Sequence, residues 1–381
     1  MRGLLKLLAL VLIFGALGAA GLKWRYGGGG DFPDRLPGPA RLPETALETV
    51  AELPTPPGNI AVSAGGRVFV SLHPEARPDW KIVELVNGEM RPWPSLEYQT
   101  GVGEPRHFRD VLSLRIDRQN RLWTLDNGQH GLNPGRLLAF DVDSGALVHE
   151  FEFPREIAGL GSHLNDFQVA PDGKTIYIAE ASFFALTPAL VVYDVEQRSA
   201  RRLLERHPAV QADPFVPVVQ GRRMEAFGLV AIRPGVDSIV LDRRGEWLYF
   251  AAVTDLNLYR IRSADLRDSR IDAATLAGRV ETVVAKTVSD GLTIDDADTI
   301  YISDPEHSAI VALRSDRTME TLVQSDRLRW PDGFSFGPDG WLYVSCSSLQ
   351  HVIGKPRSEV TANAPYSVFR IQTNASATAG Q

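Results

Sequence analysis

The sequence predicts an all-β chain folded as a six-bladed β-propeller, with an N-terminal strand closing the last blade. Three observations carry that prediction. A strand–turn–strand unit recurs six times, each second strand carries an aromatic near its centre, and no long helix is signalled after residue 22. The copies are "NIAVSAGGRVFVSL" (59–72), "SLRIDRQNRLWTLD" (113–126), "DFQVAPDGKTIYIAE" (166–180), "SIVLDRRGEWLYFAA" (238–252), "GLTIDDADTIYISD" (291–304) and "GFSFGPDGWLYVSC" (333–346). Their aromatics are Phe69, Trp123, Tyr177, Tyr249, Tyr301 and Tyr343, spaced 54, 54, 72, 52 and 42 residues apart, so the unit is constant and its outer loops vary.

In chain order, residues 1–22 join basic Arg2 and Lys6 to an apolar run from Leu7 to Leu22. This layout fits either a secretory signal, cleaved after Ala20 where Gly18 and Ala20 supply small residues, or an uncleaved membrane anchor. Export to a secreted or periplasmic location is expected in both cases. Residues 23–46 are dominated by Gly and Pro ("YGGGGDFPDRLPGPARLP", 26–43) and read as a flexible tether with a stiffer lead-in.

The propeller is expected over 47–372. Several copies continue into further strands, as in "AIVALRSD" and "METLVQS", which gives four antiparallel strands per blade. The sixth copy supplies only three, ending in "YSVFRIQ" (366–372), and "LETVAEL" (47–53) is free to be its fourth. That closure removes the open edge that an incomplete ring would expose. Residues 373–381 read as a disordered tail.

Composition narrows the function. A net charge of −7 argues against nucleic acid or an anionic membrane as the main partner, and no Lys/Arg stripe of the kind a phosphate backbone needs is present. The single cysteine, Cys346, sits in an apolar strand, so no internal disulfide can form and the thiol reads as a small buried hydrophobe. No Gly-rich phosphate loop, Cys-based zinc spacing or nucleophile elbow is present. A monomer is expected.

Propeller geometry sorts the carboxylates by face. Each inner strand runs from the top face to the bottom and the second strand returns, so residues at inner-strand entries and after second strands meet above the central channel. The entries hold Asn59, Asp110, Asn165, Asp166, Asp237, Asp290 and Asp332. After the second strands come Asp126, Asn127, Glu180, Asp255, Asp304, Glu306 and His307. The top is therefore expected to be acidic, whereas Asp172, Asp295, Asp296 and Asp339 belong to bottom turns, where Asp favours the turn itself.

Two chemistries suit such a mouth. Oxygen ligands from Asn165, Asp237, Asp290 and Asp332 are of the type Ca²⁺ prefers. Alternatively, Asp126, Asn127, Glu180, Asp255 and Asp304, beside Phe183 and Trp330, would hold an aromatic or cationic small molecule by ion pairing and cation–π contact. His163, Asp166 and His307 are the candidate proton-transfer groups.

The stretch from Arg109 to Leu349 resembles the major royal jelly/Yellow protein family in its bacterial branch. The resemblance rests on "RLWTLDNG" (121–128), "LLAFDVDSGALV" (137–148), "LNDFQVAPDGKTIYIAEAS" (164–182) and "ALVVYDVEQRSARRLLERHPAVQADP" (189–214). It continues through "SIVLDRRGEWLYFAAVTDLNLYRI" (238–261), "VSDGLTIDDADTIYISDPEHSAI" (288–310) and "RLRWPDGFSFGPDGWLYVS" (327–345). The resemblance implies a secreted six-bladed propeller that binds a biogenic amine or similar ligand at one end of its channel, with dopachrome-tautomerase-like isomerase activity in some relatives. A more distant similarity links the architecture to calcium-dependent lactonases of the gluconolactonase type, in which a Glu before the first inner strand joins the metal ligands. Here the first copy begins "TPPGNIAVS" and lacks that Glu. The expected readings are thus a small-ligand binder with isomerase-type proton transfer, a Ca²⁺-dependent lactonase or esterase, and a non-catalytic interaction scaffold.

Overall fold

The structure is a computed structural model that describes residues 2–101 and 106–380. Met1 and Gln381, the outer limits of the first and last segments assigned above, lie outside the described residues. Six four-stranded antiparallel sheets form the ring. Their inner strands are Pro57–Val62, Val111–Ile116, Leu164–Val169, Val236–Leu241, Leu292–Ile294 and Pro331–Phe336, and each packs on the next until the sixth meets the first. The second strands, Val68–Leu72, Arg121–Asp126, Thr175–Glu180, Trp247–Ala252, Ile300–Asp304 and Trp341–Cys346, hold the six repeated aromatics. The expected closure is present: Glu48–Leu53 pairs with Tyr366–Gln372 as the outer strand of blade 6, in a register that sets Glu48 opposite Arg370 and Leu53 opposite Tyr366.

Strand alternation builds the core. Successive side chains point to opposite faces of a sheet, so each blade feeds two interfaces. Ile60 and Val62 pack toward blade 6 with Val70, Tyr343 and Val368, while Ala61 between them packs toward blade 2 with Phe69, Leu114 and Phe140. The ring is held by one apolar layer per interface, which suits a chain without disulfides. Two bottom-turn carboxylates tie into this frame. Asp117 accepts from Trp123 Nε1 at 2.7 Å, and Asp295 accepts from Tyr301 Oη at 3.2 Å, so turn Asp and strand aromatic act together in blades 2 and 5. Asp295 also accepts from the backbone N–H groups of Ala297 and Thr299, which is turn chemistry as read from the sequence.

Both flanking segments differ from expectation. Helix α1 spans Arg2–Tyr26 and runs past residue 22 into the stretch read as tether. The Gly/Pro segment that follows is bound along its length. Gly30–Asp31 pairs in parallel with Phe215–Val216, and the N–H groups of Arg41 and Leu42 donate to the carbonyls of Thr321 and Leu322 on blade 5. Glycine and proline kept it from forming a sheet of its own, but backbone groups left free by that composition found partners on the propeller. The tail likewise docks: Gly380 N–H donates to Phe336 O at 2.9 Å and its carbonyl accepts from Ile116 N–H at 3.1 Å, across the lower ends of two inner strands.

Candidate functional site

The site begins with an irregularity shared by five inner strands. Their pairing shifts within the first few residues, between Pro57 and Ile60, Val111 and Ser113, Leu164 and Phe167, Val236 and Ser238, and Pro331 and Phe334. A bulge of this kind re-aims a side chain that regular pleating would send elsewhere. Every residue with a side chain inside these bulges, Asn59, Leu112, Asn165 with Asp166, Asp237, and Asp332, lines one cavity of about 610 Å³ at the top of the channel. The fifth inner strand starts late, and Asp290 and Gly291 just before it complete the ring of lining residues. Gly291 is required by close approach: a Cβ there would lie 1.8 Å from the carbonyl oxygen of Asp332.

On the floor, Arg115 rises from the inner strand of blade 2 and is almost fully buried. It donates to Asn59 Oδ1 at 2.8 Å, to Phe334 O at 3.1 Å and to Asp166 Oδ2 at 3.0 Å. Asn59 Nδ2 donates to the other oxygen of Asp166 at 3.0 Å, as does Ser113 Oγ. Asp166 is thereby a fully engaged ion-pair partner, held in place by Arg115, Asn59 and Ser113.

The other three floor carboxylates differ. Asp237, Asp290 and Asp332 come from blades 4, 5 and 6, and among the described residues none has an ion-pair partner within 4 Å. Asp237 accepts from Asn165 Nδ2, and Asp290 from Trp330 Nε1. Burial holds all three above the ordinary carboxylate range, reinforced for Asp237 and Asp332 first by the charge of Asp290; Asp290 itself is pushed up to about 6.

The walls are of two kinds. One carries His73, Glu75, His130 and His163, from top-face connections of blades 1, 2 and 3. His130 and His163 meet edge-on with centroids 4.7 Å apart, His130 also meets Phe184 at 4.8 Å, and its Nε2 lies 3.9 Å from Glu75 Oε1. Burial pushes His73 down to about 4, and burial together with His130 pushes His163 down to about 3, so both imidazoles are neutral near pH 7 and His163 is a weak base there. Glu75 is held below its usual range chiefly by His130. The remaining wall is apolar: Phe183 and Phe184 on one side, Phe227 and Ile232 from the long connection between blades 3 and 4, and Val352 and Ile353 after the second strand of blade 6.

Of the fourteen residues assigned a binding, metal-ligating or proton-transfer role from sequence, His163, Asn165, Asp166, Phe183, Asp237, Asp290 and Asp332 line this cavity. Seven others stand outside it. Asp126 accepts from the N–H groups of Arg109, Asp110 and Gly128 and pairs with Arg136 at 3.2 Å. Asn127 Oδ1 caps His130 N–H. Glu180 pairs with Arg202 at 2.8 Å and accepts from His163 N–H. Asp255 accepts from Asn257 N–H and Tyr259 Oη. Asp304 accepts from His307 Nδ1 at 2.8 Å, and His307 Nε2 lies 3.2 Å from Asp34 in the lead-in segment. Trp330 is buried and reaches the site only through its hydrogen bond to Asp290. Asp126, Glu180 and Asp304 end second strands and Asp255 follows one, on the expected face, but these carboxylates turn sideways toward backbone N–H groups that loops leave unpaired. Sequence reasoning missed Arg115, His73, Glu75 and His130. The same phase argument reaches three of them, since His73 and Glu75 follow the second strand of blade 1 and His130 follows that of blade 2.

A calcium ion at this floor would draw its oxygen ligands from Asn165, Asp237, Asp290 and Asp332. The floor oxygens are of the right chemical type, yet Asp237 and Asp290 spend an oxygen each on Asn165 and Trp330. Among the described residues no three His, Cys, Asp or Glu side chains are placed to hold a metal ion. The arrangement does not fit a protein-built calcium centre, and no step is assigned to one.

Comparison with known proteins gives the wider setting. A family model described as major royal jelly protein matches residues 110–372. Major royal jelly protein 9 of Apis mellifera is 24% identical over 173 residues, 43% of this chain and 38% of that protein, so the match spans about two fifths of the relative's length. Among solved structures, a putative gluconolactonase is 14% identical with a TM-score of 0.54, covering 87% of this chain and 93% of its own. The calcium-binding protein regucalcin of Agrobacterium tumefaciens is 14% identical with a TM-score of 0.53, covering 89% and 98%. A luciferin-regenerating enzyme is 12% identical with a TM-score of 0.55, covering 88% and 97%. At these identities the solved structures attest to the fold alone.

Proposed function

The chain belongs to the major royal jelly protein family, and from that premise we propose that it binds a small molecule with a cationic nitrogen on an aromatic or apolar body in the channel mouth. One observation carries the reading: three carboxylates from successive blades, Asp237, Asp290 and Asp332, share the floor of a cavity with one apolar wall and have no ion-pair partner among the described residues. A monocation about 4 Å from one such carboxylate gains roughly 4 kcal/mol at an effective dielectric constant near 20, and it relieves the mutual repulsion of all three. An ammonium group over Phe183 adds about 0.5–2 kcal/mol of cation–π attraction, and the ligand's apolar body covers the Val352–Ile353 wall.

The accompanying chemistry, where the ligand is quinone-like, is proton transfer. Asp290, at about 6, is poised to change protonation near neutral pH, and proton exchange between two positions of one ligand needs no redox partner. The protein is read as exported and monomeric, its apolar N-terminal helix serving as signal or anchor.

A thermal-shift screen with aromatic amines, quinones and lactones, each with and without Ca²⁺, tests the reading, because a ligand that selects the folded state raises its melting temperature. Amines are expected to raise it independently of Ca²⁺. A panel in which no amine acts, or in which only lactones with Ca²⁺ do, overturns the proposal.

A further inference from the structure

The chain carries seven large apolar side chains exposed outside helix α1 among its described residues, and six of them sit at one end of the ring. Leu96, Leu132, Leu160, Phe184, Leu186 and Phe227 all lie in connections of the top face, the face into which the cavity opens. Only Val148 lies elsewhere, on an outer strand. Phe227 is 82% exposed and Leu160 70%. The loops bearing several of these residues touch: Gly161 N–H donates to His130 O at 2.8 Å, and Phe184 N–H donates to Gly161 O at 3.2 Å. The loops carrying Leu132, Leu160 and Phe184 thus form one apolar edge on the top face, and Phe184 and Phe227 line the cavity itself; exposed apolar groups gathered in this way mark an interaction face.

Helix α1 meets the same rim. Its stretch Gly3–Tyr26 is long and apolar enough to cross a membrane, and 24 residues at 1.5 Å each reach about 36 Å against a hydrocarbon core of about 30 Å. It ends in Lys23-Trp24-Arg25-Tyr26, the aromatic and basic composition that settles at the membrane–water boundary. No slack follows. Tyr26 Oη donates to Phe184 O at 2.9 Å, their rings lie 6.3 Å apart, Gly27 O accepts from Arg233 at 3.5 Å, and Gly29 O accepts from Arg223 at 2.6 Å. Phe184 itself lines the cavity.

From this juxtaposition we propose that α1 is retained as a membrane anchor and that the channel mouth lies against the surface of the same bilayer, with Phe227, Leu160 and Leu132 dipping into its headgroup region. The occupant of the apolar face is lipid. A second copy seated over the mouth would compete for the space from which α1 emerges. An amphiphilic ligand concentrated at the interface would then enter the cavity without crossing bulk water. This inference stands independently of which ligand binds.

Depth-dependent quenching tests it on the full-length chain in proteoliposomes. Cys346, the only cysteine, is buried, so Phe227→Cys, Leu160→Cys and Asp172→Cys each take one environment-sensitive fluorophore, the last in a bottom turn. Lipids spin-labelled near the headgroup are expected to quench the labels at 227 and 160 at least threefold more than at 172, and the intact mass of the membrane-extracted protein is expected to include the residues before Gly21. Equal quenching at the three positions, or a protein that begins at Gly21, overturns the proposal.

Discussion

Replacing Asp290 by Asn should stabilise the protein at neutral pH while weakening ligand binding. The substitution removes a negative charge but keeps an oxygen to accept from Trp330 Nε1. Burial holds the Asp290 carboxyl up at about 6, roughly two decades in proton affinity above an unfolded aspartate. Each decade is worth about 1.4 kcal/mol, so ionised Asp290 costs the fold on the order of 3 kcal/mol, with a further share through Asp237 and Asp332, which its charge pushes up. The sign follows from proton binding. Between about pH 4 and 6 the folded state holds a proton that the unfolded state has lost, so stability falls as pH rises through that window and stays lowered above it. The variant escapes that loss. At pH 7.5 its melting temperature should exceed the parent's by about 4 °C, for an unfolding entropy of roughly 0.7 kcal/mol/K in a propeller of this size. Near pH 4 the difference should vanish. The comparison must be between the two chains at each pH, because the depressed His73 and His163 give both a loss of stability toward acid that runs the other way. Calorimetric melts across pH 4–8 read the difference directly. A variant no more stable than the parent at pH 7.5, or one whose advantage does not change with pH, refutes the claim that the floor carries uncompensated charge.

Other outcomes follow from the same contacts. Arg115→Met should destabilise by about 3–5 kcal/mol in chemical denaturation, since it strands the buried Asp166 carboxylate, and the double variant with Asp166→Asn should recover much of that loss. Asp126→Ala should lower the melting temperature and leave the relative affinities of a ligand panel unchanged, because its partners are backbone N–H groups and Arg136 rather than the cavity. Phe183→Ala should weaken an aromatic ammonium ligand by roughly 0.5–2 kcal/mol, about two- to thirtyfold, with little effect on the melt of the free protein. His163→Gln should flatten the decline of stability between about pH 6.5 and 3, the window in which the unfolded imidazole takes up a proton that the folded one refuses.

The architecture was legible because the repeat fixes strand phase. Phe69, Trp123 and their four counterparts marked the second strands, and the missing fourth strand of the last copy pointed to Glu48–Leu53. The same phase placed Asp237, Asp290 and Asp332 at the channel mouth. It could not say which way a side chain at a strand end would turn. Asp126, Glu180, Asp255 and Asp304 reached the expected face and were then claimed by neighbouring N–H groups and by Arg136, Arg202 and His307, whose positions depend on loop conformation. The flanking segments escaped for a different reason. Gly and Pro composition reports what a segment cannot build alone, whereas the lead-in is ordered by pairing with Phe215–Val216 and by blade 5.

The central claim is that the acidic floor selects positive charge on an aromatic body. Titration calorimetry of an arylethylamine against its neutral alcohol isostere, at pH 7.5 and low salt, tests it most directly. The account predicts that the amine binds at least tenfold more tightly than the alcohol, and that Asp237→Asn and Asp290→Asn together abolish the preference. Equal heats for amine and alcohol, or a preference that survives loss of both carboxylates, would contradict it.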